Sequence, residues 1–67
     1  MSANNQVVIS KRMYDWVVEL VDADTGDAYE HIGKTDNLEQ AVDMANKYMD
    51  ECADDGYPVE YGLSIIK

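Results

Sequence analysis

From Leu38 onward, apolar residues fall at three- and four-residue spacing: Leu38, Ala41, Val42, Ala45, Tyr48, Met49 and Cys52. That rhythm lines one side of an α-helix and leaves the opposite side to polar groups. The ends are marked as well. Asp36, followed three residues later by Glu39, has the form of a capping box. Gly56 suits the left-handed position just beyond a helix, and Pro58 bars continuation. A helix that is apolar along one stripe has to lie on another layer. The remaining residues read as strands, so that layer is a sheet.

Residues 1–6 are polar and predict a frayed tail. From Val7 to Val21 the pattern is strand-like, with Tyr14, Trp16, Val18 and Leu20 alternating with Asp15, Val17, Glu19 and Val21. Val7, Val8 and Ile9 either extend this strand or form a short one of their own, with Ser10-Lys11-Arg12 as a bulge or bend. The run Asp22-Ala23-Asp24-Thr25-Gly26-Asp27 is turn chemistry, because Asp tolerates unusual backbone angles and Gly26 permits positive φ. A second strand, Ala28 to Gly33, returns antiparallel as a hairpin. The last strand runs from Val59 to Ile66, with Val59, Tyr61, Leu63 and Ile65 directed inward. The element order is β-β-α-β. With the last strand beside the first, the expected fold is α+β: a three-stranded antiparallel sheet, order 2-1-3, with one helix packed on one face. Residues 1–67 make a single small domain, because a chain this short buries only about 60% of its unfolded surface in one thin core.

Charge then narrows the functional classes. Fourteen carboxylates face five basic side chains, for a net charge of -9 at pH 7. Anionic lipid headgroups would repel such a surface, no apolar run approaches the roughly 20 residues of a membrane span, and MSANNQ lacks the regions of a signal peptide. The single Cys52 excludes an internal disulfide and fits a reducing, cytoplasmic setting. No cofactor is implied. The hairpin turn has a calcium-loop flavour, but its glycine falls at the fifth position and Gly33 stands where a bidentate Glu is needed. Cys52 and His31 are the only soft ligands, too few for structural zinc. No nucleophile, base and acid come together in the sequence, so an enzyme is not expected. Direct nucleic-acid binding is disfavoured as well, with only Lys11, Arg12, Lys34, Lys47 and Lys67 to meet phosphate.

An acidic helix face is ordinarily just solvated. Here the placement works against stability. Glu39, Asp43, Asp50 and Asp54 follow one side of the helix at spacings of four, seven and four, and like charges four apart disfavour a helix. Asp54 and Asp55 sit at the C-terminus, where the macrodipole prefers cations by about 0.3–1 kcal/mol each. Residues four apart rise about 6 Å, close to the roughly 6–7 Å between successive phosphates on one strand. The acids are therefore spaced to imitate a nucleic-acid backbone and to fill the Arg/Lys groove of a protein that holds one.

A very short, strongly acidic α+β chain without catalytic residues resembles the small inhibitors encoded by bacteriophages, including anti-CRISPR, anti-restriction and uracil-DNA glycosylase inhibitor proteins. The resemblance rests on size, acidity and element order along the whole chain, with no signature motif. It implies a stoichiometric, non-catalytic mechanism against a basic nucleic-acid-binding protein such as a CRISPR effector, in the host cytoplasm. On this reading Asp43, Asp50, Glu51, Asp54 and Asp55 contact the target, and Asp22, Asp24 and Asp27 assist. Tyr29 and Tyr57 are the exposed aromatic candidates. The alternative is an adaptor module, in one version a homodimer, binding through a sheet edge or through the face that carries Val17 and Val21, which is more apolar than solvent requires.

Overall fold

The structure is a computed structural model and describes residues 4–66. Four strands and one helix follow in the order β1 (Asn5–Lys11), β2 (Trp16–Asp22), β3 (Ala28–Thr35), α1 (Leu38–Asp54) and β4 (Leu63–Ile66). The class is α+β, with one helix against one sheet. The sheet itself differs from the expectation. It has four strands in the order β3-β2-β1-β4, and β4 runs parallel to β1, with Val7 opposite Leu63 and Ile9 opposite Ile65.

Of the two arrangements open for Val7, Val8 and Ile9, the separate strand is the one adopted, and the break falls after Lys11 and not at Ser10-Lys11-Arg12. Residues 12–15 turn the chain back, closed by the Arg12 N–H donating to the Asp15 carbonyl at 2.7 Å. β1 then pairs antiparallel with β2 from Asn5 opposite Asp22 to Lys11 opposite Trp16. This hairpin explains the parallel edge. α1 has to carry the chain from β3, at one edge, across to β4 at the other, and such a crossover returns a strand in its starting direction.

The expected frayed tail is also corrected. Asn5 and Gln6 belong to β1, and Asn4 accepts from the Ala23 N–H at 2.7 Å; residues 1–3 lie outside the described residues. The helix is capped by Asn37 rather than Asp36, its side-chain oxygen accepting from the Glu39 N–H at 2.8 Å and the Gln40 N–H at 3.4 Å. Asn reaches the two free N–H groups equally well as a cap, and it stands one residue nearer the first turn. At the other end the expectation holds. Gly56 has φ +87°, its N–H donates to the Ala53 carbonyl at 3.1 Å, and that of Tyr57 donates to Cys52 at 2.9 Å, the paired bonds of a Schellman stop.

The core lies between α1 and one face of the sheet. Val7, Ile9, Val18, Ala41 and Ala45 are fully buried, and Trp16, Leu20, Ile32, Leu38, Val42, Met44, Tyr48, Met49, Val59 and Leu63 pack around them. The two alanines are the short side chains that let the helix approach the strands. Gly33 adds to this closeness: a Cβ there would stand 2.8 Å from Met44 Sδ. A Gly33→Val substitution should therefore press the helix away and destabilise by about 1–3 kcal/mol, read as a lower urea midpoint. An unchanged midpoint would mean that Met44 moves aside without loss.

The last strand is shorter than its alternation suggested. Gly62 has φ +72°, so the chain bends at residues 59–62 and the inward sequence Val59, Tyr61, Leu63, Ile65 is interrupted. Tyr61 is 54% exposed and Ile65 43%. On the face away from the helix, Val21 and Val8 are buried and Val17 is half-buried. The Val17 and Val21 patch therefore offers less free apolar surface than the sequence implied, and the exposed apolar group on that face is Ile66.

Candidate functional site

The direction of α1 decides where the acids gather. The Thr35 hydroxyl, near the end of β3, donates to Gln40 Oε1 at 2.7 Å, whereas Met44, a turn later in the helix, meets Gly33, two residues earlier in the strand. The helix thus runs antiparallel to β3. Seventeen residues rise about 25 Å, enough to carry its C-terminus back to the end of the sheet where the β2–β3 turn lies. The segment after the helix confirms the position: Tyr61 N–H donates to the Asn5 carbonyl at 3.0 Å, and the Glu60 N–H to Asn5 Oδ1 at 2.8 Å. Asn5 is the partner of Asp22.

One end of the molecule therefore collects Asp22, Asp24 and Asp27 from the turn, Asp54 and Asp55 from the helix, and Glu60 from the segment before β4. The opposite end carries Lys11, Arg12 and Lys34, beside Asp15 and Asp36. The negative pole of the helix macrodipole points to the acidic end and adds to its field. Asp43 and Asp50 lie mid-helix on the side away from the sheet and are exposed, while Glu51 lines the flank with Lys47, Tyr48, Met44 and Ile32. Lys47 stands four residues from both Asp43 and Glu51, the spacing at which opposite charges attract. The proposed stripe is thus interrupted at its centre. Its coherent part is the end.

Asp22 and Asp24 differ from free contact residues. Asp22 Oδ1 accepts from the N–H of Asp24 at 2.8 Å and of Thr25 at 3.2 Å, and Oδ2 accepts from the Tyr29 hydroxyl at 2.9 Å. The Tyr29 bond, followed by the two backbone bonds, holds the Asp22 carboxyl below its ordinary value, and the same bond is the main cause that pushes the Tyr29 phenol up. Asp24 accepts from Asn4 Nδ2 at 2.6 Å. These two acids fix the turn, and Gly26 at φ +79° closes it. Tyr29 is likewise committed to the turn by its hydroxyl.

Asp22 is an acid whose folded pKa is lowered. Its contribution to stability is present above 3.8 and fades as pH falls through the folded value. Tyr29→Phe should raise the Asp22 titration toward 3.8, followed through the carboxyl resonance by NMR. If that midpoint does not move, the hydroxyl is not what holds the carboxylate charged.

Tyr57 is 79% exposed and Tyr61 54%, both beside the acids. Glu60 and Tyr61 were not singled out in the sequence because an inward Tyr61 was expected; Gly62 was the signal of a break. Burial, then hydrogen bonding to the Cys52 thiol, pushes the Tyr48 phenol up and keeps it neutral. Among the described residues, no three His, Cys, Asp or Glu side chains converge closely enough to hold a metal ion. No described helix is long and apolar enough to cross a membrane. No protein-family model, curated protein or solved structure matches this chain.

Proposed function

We propose that this protein is a non-catalytic inhibitor that occupies the nucleic-acid cleft of a basic protein by presenting carboxylates in place of phosphates, with CRISPR effectors the first targets to test. The observation that carries this reading is the uneven distribution of charge: six carboxylates and no described cation gather at one end of a 36 Å long domain, whereas at the other Lys11, Arg12 and Lys34 are balanced by Asp15, Asp36 and Glu39. A charge placed only for solubility would be spread over the surface. The polarity orients the protein in the field of a cationic cleft and speeds encounter.

Asp54, Asp55 and Asp27 make the primary contacts in this reading, Asp50, Asp43 and Glu51 extend them along the helix, and Asp22 and Asp24 hold the turn that presents Asp27. Tyr57 and Tyr61 supply the apolar contact that charge pairs alone do not, because such pairs often break even against desolvation. Tyr is one of the residue types enriched at the energetic centres of interfaces.

The test is DNA binding by purified CRISPR effectors at a one-to-one ratio with the protein. The expected result is loss of DNA binding, restored by excess DNA and weakened steeply by salt. A tight partner whose nucleic-acid binding is untouched would overturn the mimicry.

A further inference from the structure

The two edges of the sheet are unlike. β3 is guarded by charge at Glu30 and Lys34, and its register with β2 is interrupted twice, between Val18 and Glu19 and between Leu20 and Val21. Bulges and charges are two of the devices that keep an edge from recruiting another strand, and a short strand such as the four-residue β4 is a third. β4 has neither bulge nor charge. Its residues Leu63-Ser64-Ile65-Ile66 are uncharged and regular, and among the described residues no strand lies beyond it.

The helix also leaves β4 uncovered. α1 packs most on β3 and progressively less on β2 and β1. Ile65, opposite Ile9, faces the helix side yet is 43% exposed, while Ile66, opposite Ser10, faces the other side and is 55% exposed. Apolar side chains are thus open on both faces of the same edge strand.

The backbone is free there too. Val7 N–H donates to the Gly62 carbonyl at 2.9 Å. In a parallel ladder with Val7 opposite Leu63, that bond turns Gly62 and Ser64 toward β1. The N–H and C=O groups of Leu63 and Ile65 then point off the edge.

We propose that β4 pairs antiparallel with β4 of a second copy about a twofold axis, joining two sheets into one of eight strands. Because side chains alternate between faces, Ile65 of one copy meets Ile65 or Leu63 of the other on the helix side, and Ile66 packs on the reverse. The charge distribution selects a second copy as the occupant. Antiparallel pairing lays Glu60 and Tyr61 of each copy alongside Lys11 and Arg12 of its partner, about two strand spacings or 10 Å away, about one Debye length at 0.1 M salt. It also keeps the two acidic helices apart, since each is centred over the strands farther from β4. A four-residue edge buries less than a standard interface, so the dimer is concentration-dependent. Salt screens both the attraction of Glu60 for Lys11 and Arg12 and the net repulsion between two copies of charge -9; the repulsion is the larger, so added salt strengthens this pairing, the reverse of its effect on a basic target.

The experiment is analytical ultracentrifugation of the full chain from about 10 µM to about 1 mM at low and high salt, with amide exchange followed by NMR. The expected result is a rise from 7.5 kDa toward twice that mass, larger at high salt. The Leu63 and Ile65 amides gain protection with concentration, while the Ser64 amide, already bonded to β1, does not. Ile65→Pro deletes only the outward N–H, a substitution that edge strands tolerate, and Ile66→Lys adds charge on the opposite face; each should hold the chain at monomer mass with unchanged circular dichroism. A single mass of 7.5 kDa throughout, or a dimer indifferent to both variants, overturns the proposal. So does an Ile65 amide that is protected only when another protein is added, which would assign the edge to a foreign strand. None of these outcomes bears on DNA competition, so the two readings fail separately.

Discussion

Ile9→Ala is expected to remove about 2–5 kcal/mol, a large share of what holds this domain folded. Ile9 is fully buried at the middle of β1, between Val18 and Ile65 in register and within the cluster formed with Ala41 and Ala45. Removing three carbons from a buried isoleucine costs about 2–5 kcal/mol, the upper values where the surroundings cannot close the gap. They cannot close it here. Ala41 and Ala45 are too short to reach in, and Val7 and Val18 are β-branched and stiff at χ1. A domain of this length has about 3–10 kcal/mol to lose. Val8→Ala is the control, because Val8 lies on the opposite face, beside Gln6, Ser10, Arg12 and Glu19, and loses about 1.5 kcal/mol or less. Urea denaturation followed by circular dichroism compares them. Equal losses in the two variants would mean that the core is not confined to the helix side of the sheet.

What the sequence disclosed follows from how local each feature is. The helix was legible because its stripe and its Gly56 stop depend on near neighbours, and the cap missed by one residue because Asp36 and Asn37 are chemically equivalent as caps. The strand pairing was not legible from alternation, since a period of two is the same in parallel and antiparallel ladders. The turn at residues 12–15 carries no Gly, Pro or Asn, so composition did not mark it. Length did. A single strand from Val7 to Val21 would extend about 50 Å, longer than the 36 Å domain and far beyond the usual strand of about 5–6 residues. Once β1 and β2 are separated, α1 must cross two strands and β4 must be parallel. The acidic end depended on the same step. Asp54 and Asp27 are far apart in the chain, and only the antiparallel course of α1 over β3 brings their elements to one end of the sheet.

Simultaneous reversal of Asp50, Asp54 and Asp55 to Lys separates function from fold, because the two should move in opposite directions. The three changes take the net charge from -9 to about -3, easing self-repulsion in the compact state. Lys at positions 54 and 55 also meets the negative end of the helix, reversing a penalty of about 0.3–1 kcal/mol at each. All three side chains are exposed, so no packing is lost, and the last turn contains no basic residue in the native chain. The melting temperature should rise by about 4–8 °C for each kcal/mol gained. Binding to a basic target should fall instead. Close charge pairs across interfaces couple by about 1.5 kcal/mol or more each, so three lost pairs weaken affinity by about 1000-fold. The measurement is a thermal melt beside a titration against the target at fixed ionic strength. A variant that melts higher and binds equally well places the contact elsewhere on the molecule. One that melts lower would show that these carboxylates have structural partners, and the surface would then be explained by folding alone.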